Sequence, residues 1–420
     1  MGTTFSNALA GLNANSKAID VVSANLANLN TYGYKQTTTS FEDLVSENLS
    51  AGGGNLASVG GAAIPLTARQ FTQGSVTTTN GPFDAAIQGN GFFVLRTTAG
   101  QQVYSRAGNF KLDATGHVLT QSGAYVQGWN AINGALNTNG TVSDIVLPVS
   151  GLRQPATTTT FSLSANLSAN ASVGGTDGTF SSPIQVVDSL GHTHPLTVTY
   201  TKSAAGQWDY TVTIPAKDVG GAAGSADTTV ASGTLAFDPN GHLISPASGA
   251  TGTVPIQIVG LGDGAADLNI NWNLYDSSGA ATITQYDQAS ANLASSQDGV
   301  QAGQLTGLGI GQKGQLFATY TNGDSLAVAQ LAVASVLNPG SMQDLGNNTF
   351  GTTSQTAVPA IGTPGTGSRG GITGGGLESS TVDIAQEFTH LLTYERGYQA
   401  NSKVITTEDE IIQSTLSLKQ

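Results

Sequence analysis

The residues best suited to chemistry in this chain are aspartates and histidines that recur in one short pattern. The pattern D-x-x-G-H occurs at residues 113–117, 188–192 and 238–242, and D-x-x-G without His occurs at 276–279. This spacing is typical of a tight turn, because the Asp side chain can accept hydrogen bonds from backbone amides further along and Gly can adopt a positive φ. We therefore predict structural turns that depend on the following residues: Asp113, Gly116, Asp188, Gly191, Asp238 and Gly241.

Other signals of a catalytic or metal site are weak. His192 and His194 in GHTHP could in principle bind a divalent ion, but their place at a hairpin exit favours exposed strand-end residues instead. Asp263 and Asp267 lack the alternating spacing of a calcium loop, and the absence of cysteine excludes disulfides and zinc–thiolate sites. No nucleophile or dinucleotide motif stands in the required context. We predict no catalytic residues, no metal and no cofactor, and therefore a protein that is not an enzyme.

The composition excludes further classes of function. Of the 420 residues only 10% are charged and 55 are Gly, against about 25% charged residues in an ordinary soluble protein. The formal net charge of −13 argues against nucleic acid as a partner, because that ligand requires clustered Lys and Arg. No stretch reaches the ~18 apolar residues of a membrane helix, and the N-terminus lacks the basic and apolar blocks of a secretory signal. A β-rich protein without membrane, nucleic-acid or small-molecule partners is expected.

The two ends of the chain have the heptad spacing of amphipathic helices. A single helix of this kind could simply dock on its own domain, but the first one carries only Lys17 and Asp20 as charges before Lys35, so a face of Ser, Asn and Ala would be left in water. We therefore predict that the two helices pair as a coiled coil and that something else covers their outer faces. The candidate interface residues of the first helix are Phe5, Leu12, Ile19, Val22, Leu26 and Leu29. Those of the second are Ile384, Phe388, Leu391, Tyr398, Ile405 and Ile412.

Between the helices lies a body with hairpin and meander patterns. Leu196, Val198 and Tyr200 alternate with polar residues, which predicts a strand with one buried face. The expected fold is mainly β with α-helical termini, in which nested sandwich-like or barrel-like β domains are carried on the terminal coiled coil. The predicted boundaries are 1–30 with 380–420 for the helices, 31–66 with 351–379 for Gly/Ser/Thr-rich connecting segments, 67–150 with 295–350 for an inner β domain, and 151–294 for an outer acidic β domain.

Three long motifs resemble one known family. The segment ANLANLNTYGYK, with Asn25, Asn28, Asn30, Gly33 and Tyr34, is similar to the N-terminal signature of the axial proteins of the bacterial flagellum, the rod and hook family. YSRAGNFKLDATGHVLTQSGAYVQGW at 104–129 resembles the first β domain of that family, and the sequence from residue 382 onwards resembles its C-terminal helix. The insertion at 151–294 resembles the outer domain of the hook members.

The resemblance implies a structural subunit that polymerises into a short curved tube, which acts as a universal joint and transmits torque from rod to filament. It also implies rod, hook-cap and hook–filament junction proteins as partners, export through the flagellar secretion apparatus without a cleaved signal, and a place in the hook and basal body. Two alternatives stay open. A distal-rod protein would lack the acidic insertion, and a secreted β-rich polysaccharide-binding protein or lyase would lack the terminal heptads.

Overall fold

A computed structural model describes residues 2–42, 64–132, 135–222, 224–249 and 252–417. The chain forms two compact units. The terminal unit comprises Met1–Val149, Gly307–Thr319 and Ser325–Gln420, and the inserted unit comprises Ser150–Thr306 and Tyr320–Asp324. Most of the Gly/Ser-rich stretch predicted as the first connecting segment, residues 43–63, lies outside the described residues.

Two long helices lie at the ends of the described chain, α1 (Gly2–Ala27) and α2 (Ile384–Ser417), which confirms the prediction of terminal helices. Helix α1 ends at Ala27, and the polar motif that follows it continues through turns to Gly33, which has a φ of 69°. Asp383 begins α2 as its N-cap, because its Oδ1 accepts hydrogen bonds from the amides of Ala385 and Gln386. Neither described helix is long and apolar enough to cross a membrane.

The strands before the inserted unit are β1 (Thr37–Glu42), β2 (Ile64–Arg69), β3 (Val76–Thr78), β4 (Ala85–Gln88), β5 (Phe92–Arg96), β6 (Gln102–Ser105), β7 (Lys111–Leu112), β8 (Val118–Leu119), β9 (Tyr125–Ile132), β10 (Ala135–Leu136) and β11 (Ser143–Asp144). Those of the middle of the chain are β12 (Leu152–Arg153), β13 (Thr160–Asn166), β14 (Thr179–Val187), β15 (Thr193–Ala204), β16 (Gln207–Ile214), β17 (Thr228–Phe237), β18 (Leu243–Ser245), β19 (Thr253–Ile258), β20 (Leu268–Asn273), β21 (Ile283–Thr284) and β22 (Ala291–Gln297). The remaining strands are β23 (Gly303–Ile310), β24 (Gln315–Tyr320), β25 (Ser325–Leu331), β26 (Val333–Ser335), β27 (Gln343–Gly346), β28 (Thr349–Gly351), β29 (Ala360–Gly362), β30 (Gly371–Gly374) and β31 (Gly376–Glu378). Short 3₁₀ turns occur at Thr176–Gly178, Ala216–Val219, Gln312–Gly314 and Pro339–Ser341.

The terminal unit is built around a sheet with the strand order β24-β25-β9-β5-β6-β28-β27. Strand β5 has the uninterrupted apolar sequence FFVL and is buried on both faces. Because successive side chains of a strand point to opposite faces, Phe93 and Leu95 enter one hydrophobic core while Phe92 and Val94 enter another. One strand thus joins two cores within this unit.

The structure differs from the sequence expectation over residues 351–379, which composition assigns to a connecting segment. Strands β29, β30 and β31 pair there with β26, β4 and β3, and Ile372 and Leu377 are buried. The glycines serve close packing: a Cβ on Gly370 would lie 2.4 Å from the Gln88 carbonyl oxygen, and one on Gly374 would lie 2.0 Å from that of Ile310. Composition alone does not distinguish glycines that permit close approach from glycines that make a segment flexible.

The described part of the inserted unit contains two five-stranded sheets, β14-β15-β16-β17-β18 and β19-β20-β13-β21 with β22 added to β13. Their facing side chains share one core, in which Tyr210 from one sheet meets Trp272 from the other edge-to-face at 5.2 Å. Leu196, Val198 and Tyr200 are fully buried, which confirms the predicted alternation along β15. The unit extends past the expected end at residue 294, because β22 is paired with β13.

Candidate assembly interface

Helices α1 and α2 pack against each other in antiparallel orientation. Asn25 of α1 contacts Glu387 of α2, and further along Asn15 lies opposite Gly397. A Cβ on Gly11 would lie 2.8 Å from the Asn401 Nδ2, and one on Gly397 would lie 2.6 Å from the Asn15 Oδ1. An Asn side chain from each helix therefore fills the space beside the facing glycine of the other helix.

The face of α1 that is covered within the chain consists of small and polar residues at heptad spacing. Ala8, Ala18, Val22 and Asn25 are buried on this face. Of the six residues that the sequence singles out for the first helix, five lie on α1 and Leu29 lies in the turn after it. Val22 alone of the six is buried, whereas Phe5 is 45% exposed. The other four, Leu12, Ile19, Leu26 and Leu29, are half-buried. The larger apolar residues thus lie beside the seam between α1 and α2 and keep part of their surface open.

Helix α2 leaves a longer apolar face open. Ile384, Phe388, Tyr398 and Ile412, all singled out from the sequence, are 47%, 52%, 38% and 39% exposed. Leu391 and Ile405 are half-buried. Three further apolar residues of α2, Leu392, Val404 and Ile411, are also exposed. Helix α2 therefore leaves apolar residues open on both sides of the seam with α1.

A polar junction, formed by Asn25, Tyr34, Gln36 and Glu387, joins the end of α1 to the start of α2. The Asn25 Nδ2 donates to the Thr37 carbonyl oxygen at 2.8 Å and to the Glu387 Oε1 at 3.2 Å. Its Oδ1 accepts from the Thr37 amide at 3.0 Å and from the Tyr34 hydroxyl at 3.2 Å, and Gln36 donates to the Glu387 Oε1 at 2.5 Å. Asn25 thereby uses both donors and both lone pairs, which explains the residue type, and burial raises the pKa of the Tyr34 hydroxyl.

The other motif residues fix the chain between α1 and the sheet. Gly33 has φ 69°, and a Cβ there would lie 2.6 Å from the Ala107 amide nitrogen. Its own amide donates to the Glu378 carbonyl oxygen at 2.8 Å. Asn28 donates from Nδ2 to the Ala24 carbonyl oxygen at 2.9 Å, and Asn30 is exposed. In this motif, a side chain at Gly33 would clash, the side-chain amide of Asn25 has all its hydrogen-bonding positions filled, and Asn28 and Asn30 lie nearer the surface.

Next to the junction lies a buried charge cluster, Lys35, Arg106 and Glu378, which sequence reasoning missed. The Lys35 Nζ lies 2.6 Å from the Glu378 Oε1, and the Arg106 Nη1 lies 3.3 Å from the Glu378 Oε2. All three side chains are at least 96% buried, so two cations share one carboxylate away from water. Burial lowers the pKa of Lys35 and of Arg106, and Glu378 opposes both shifts. The low overall charge was the available signal, because a single Lys within an otherwise uncharged segment is a candidate for a buried pair.

The D-x-x-G segments form turns of one geometry. In each, the Asp Oδ1 accepts from the amides two and four residues ahead, at 2.8–2.9 Å for Asp113, Asp188 and Asp238. The glycines Gly116, Gly191 and Gly241 have φ of 91°, 90° and 81°. Asp276 and Gly279 form a fourth turn of this kind.

The histidines are placed differently from one another. His192 and His242 are exposed at the ends of their turns, and the hydrogen bond with Asp263 raises the pKa of His192. The expectation that His194 is also exposed is wrong, because its residue surface is 95% buried. Position 194 has the same parity along β15 as Leu196, so the strand turns it inward, where its Nε2 lies 3.1 Å from the Asp188 Oδ2.

Four family models match successive parts of the chain. They are described as flagella basal body rod protein at residues 5–35, flagellar hook protein FlgE/F/G D1 domain at 86–166, flagellar basal body protein FlaE D2 domain at 166–300, and flagellar basal body rod FlgEFG protein C-terminal at 373–418. The crystal structure of the Helicobacter pylori flagellar hook protein FlgE2 has a similar fold, with a TM-score of 0.52 and 14% identity over 66% of this chain and 94% of that one.

Whole-length relatives are more informative about the family. The flagellar hook protein FlgE of Treponema pallidum (strain Nichols) is 32% identical over 100% of both chains. FlgE of Salmonella typhimurium (strain LT2) and of Escherichia coli (strain K12) are each 30% identical over 99% of this chain and 100% of the relative. The resemblance stated from the motifs is confirmed by similarity of this extent, and the chain belongs to the FlgE family of flagellar hook proteins, a family of structural proteins and not of enzymes.

Proposed function

We propose that copies of this chain polymerise into the hook through the apolar faces that α1 and α2 leave exposed. The observation that supports this proposal is the contrast between the two sides of the helix pair. The seam between the helices is lined by Gly, Ala and Asn, whereas Phe5, Phe388 and Leu392 point away from it with about half of their surface open. An apolar side chain of this size contributes about 1.5–3 kcal/mol when it is fully buried, and in the free chain that contribution is only partly realised.

The occupant of these faces is a second copy of the chain. Hook proteins form a homopolymer, and α1 carries only Lys17 and Asp20 as charged residues, so two copies of this helix would not repel each other. A tube repeats the same contact along its length, and a modest gain for each subunit is therefore sufficient for assembly. The candidate interface residues of both helices act in this contact, and the motif residues around Asn25 and Gly33 hold the helix pair in the required position.

The inserted unit is proposed to face outward and to make contacts that change as the tube bends. No Lys or Arg occurs between Lys217 and Lys313, whereas eight aspartates do. Like charges on neighbouring copies disfavour a tight interface. In this proposal the chain consists of paired terminal helices, an inner β domain and an outer acidic β domain, and the tube acts as a curved, flexible joint between rod and filament.

The finer partners and the route to the hook are part of the same proposal. Membership of the hook family supports rod, hook-cap and hook–filament junction proteins as neighbours, and export through the flagellar secretion apparatus without a cleaved signal. Detection of unprocessed protein in sheared hooks, and its loss from the medium in a strain without the secretion apparatus, would test the route.

The assembly proposal is tested by a charge placed on the apolar face. The double variant Phe388→Asp, Leu392→Asp changes two residues that are 52% and 57% exposed in the free chain, so the subunit should fold normally. Assembly would bury both carboxylates, each at a cost of several kcal/mol, and negative-stain microscopy should show no tubes. The matched control, Val259→Asp, places the same charge on a residue of the inserted unit that is 56% exposed and should leave tubes intact.

The double variant must retain the circular dichroism spectrum and the melting temperature of the unmodified chain. Normal tubes from a folded double variant would refute the interface, and so would equal loss of tubes in the Val259→Asp control. The residues that the sequence singles out on α1 allow an independent repetition, because Leu12→Asp combined with Ile19→Asp should abolish tubes in the same way.

A further inference from the structure

Four side chains of the inserted unit, which we name the His–Asp cluster, come together from two separate loops: Asp188, His192, His194 and Asp263. The first three lie in or directly after one D-x-x-G-H turn, whereas Asp263 lies in the loop between β19 and β20. The turn and the loop are tied to each other, because the Ala266 amide donates to the Ser189 Oγ at 3.0 Å. The structure thus brings together two candidates that were weak in the sequence, the histidines of GHTHP and Asp263.

The ligand atoms of Asp188, His192 and Asp263 all lie within 4.8 Å of one another, and His194 lies beside them. The His192 Nδ1 lies 2.9 Å from the Asp263 Oδ2 and 3.8 Å from the Asp188 Oδ2. The His194 Nε2 lies 3.1 Å from the Asp188 Oδ2 and 3.6 Å from the Asp263 Oδ2. With metal–ligand bonds of about 2.0–2.2 Å, the edge of a tetrahedron of N and O ligands is about 3.3–3.6 Å. The distances of 3.6 and 3.8 Å lie near that edge, and those of 2.9 and 3.1 Å are hydrogen bonds that a bound ion would replace.

Each carboxylate presents one oxygen to the cluster and is held by the other. The Asp188 Oδ1 accepts from the amides of Leu190 and His192, and the Asp263 Oδ1 accepts from the Ala265 amide at 3.0 Å. Both Oδ2 atoms are therefore oriented by the backbone before any ligand binds. Asp188 is fully buried and His194 is 95% buried, so only His192 and Asp263 would need to adjust.

A second observation concerns the far side of the His194 ring. The His194 Nδ1 is buried and has no hydrogen-bond partner among the described residues, and the Asp218 Oδ2 lies 3.6 Å away. Histidines that bind a metal through one ring nitrogen usually direct the other N–H to a carboxylate or carbonyl. In His194 the Nε2 faces the cluster and the Nδ1 faces Asp218 at a distance that is too long for a hydrogen bond.

We propose that the His–Asp cluster binds one divalent transition-metal ion of the Zn²⁺ type and so cross-links the 188–194 turn to the 260–267 loop. One imidazole nitrogen and two carboxylate oxygens, those of His192, Asp188 and Asp263, lie close enough together to hold one ion, and Zn²⁺ is commonly bound by three such protein ligands with water as the fourth. An oxygen-only ion such as Ca²⁺ or Mg²⁺ suits the set less well. The assignment goes beyond the assembly role and is independent of it.

The test uses the full chain after removal of metal by a chelator and dialysis, titrated with ZnCl₂ in a calorimeter. We expect one Zn²⁺ to bind per chain and the melting temperature of the inserted unit to rise with Zn²⁺ concentration. CoCl₂ should give the intense visible absorption of four-coordinate Co²⁺. His192→Ala and Asp263→Asn should each weaken Zn²⁺ binding at least about tenfold.

Both variants are chosen to fold. The His192 side chain is 65% exposed, and Asn at position 263 can still accept the Ala265 amide through its side-chain oxygen. His242→Ala is the matched control, since it changes the same position of a D-x-x-G-H turn and should bind Zn²⁺ like the unmodified chain. Absence of saturable Zn²⁺ binding would overturn the proposal, as would unchanged affinity in both cluster variants or an equal loss in the His242→Ala control.

Discussion

The buried charge cluster gives the most quantitative prediction. Glu378→Gln preserves the volume of the side chain and an acceptor for the Gly74 amide, but it removes the negative charge that lies 2.6 Å from the Lys35 Nζ and 3.3 Å from the Arg106 Nη1. The two buried cations then have no anionic partner, and their acceptors are neutral: the Gln oxygen and the backbone carbonyls of Thr72, Ile87 and Gly89. Removal of one partner of a buried ion pair costs about 3–5 kcal/mol, so we expect the terminal unit to lose that much stability.

The pH dependence of this loss has a definite sign. Burial already holds the folded-state pKa of Lys35 below its ordinary value of 10.5, and Glu378 opposes that shift. Between the folded and the unfolded pKa the unfolded chain binds more protons, so stability rises with pH in that interval. Without Glu378 the folded-state pKa falls further, and the loss caused by Glu378→Gln should shrink as the pH is raised towards 10.5.

Hydrogen exchange measured by mass spectrometry is the appropriate assay, because it resolves the two units. Peptides that contain Gly33 and Gly74 should lose protection in the variant, whereas peptides of the inserted unit serve as an internal reference. The control is Asp344→Asn, which breaks the Arg69–Asp344 pair, whose side chains are 19% and 43% exposed. An exposed pair contributes at most about 1 kcal/mol. Equal effects of the two substitutions would refute the argument from buried charge.

Two further predictions concern the helix seam and a partly buried carboxylate. Gly11→Leu should force α1 away from α2, because even a Cβ there would lie 2.8 Å from the Asn401 side chain. Limited proteolysis should then cut within α1, whereas the control Asn13→Leu, on the exposed side of the helix, should stay resistant. Equal cleavage of both variants would contradict the described packing of α1 against α2. Hydrogen bonding from Arg96 lowers the pKa of Asp144, so its stabilisation is present above the unfolded value of 3.8 and is lost as the pH falls through the folded value. The difference in melting temperature between the unmodified chain and Asp144→Asn should therefore be constant near neutral pH and disappear in acid, and a difference that is independent of pH would exclude this explanation.

Periodicity in the sequence was sufficient to predict the terminal helices, the alternation along β15 and the family. These features depend on residues that are close in the chain, and a heptad or a period of two is visible without a partner. The heptad could not indicate which stripe of α1 lies against α2. Apolar size favours the stripe of Leu12 and Ile19, but close approach of two helices requires small residues, and the buried stripe contains Gly11 and Ala18.

The remaining errors have the same origin, since they concern contacts between distant parts of the chain. Lys35 and Glu378 are 343 residues apart, and no local pattern connects them. The glycine-rich composition of 351–379 predicts a flexible linker, because the sequence does not show the carbonyl groups that pack against these glycines. The burial of His194 could have been predicted from the sequence, because His194 and Leu196 are two residues apart and point to the same face of the strand. The turn motif before His194 instead favoured an exposed position.

The polar junction also constrains the order of events during synthesis. Asn25 and its partner Glu387 are 362 residues apart, and at ribosomal rates of 5–20 residues per second the first waits about 20–70 s for the second to be made. During that interval Asn25 can reach only its partners nearby in the chain, Tyr34 and Thr37, and lacks Glu387, whereas residues 150–306, almost all of the inserted unit, are synthesised as one continuous segment before α2. We therefore expect the inserted unit to fold before the terminal helices pair, so that an incomplete chain lacks the paired helices on which the proposed assembly surface is built.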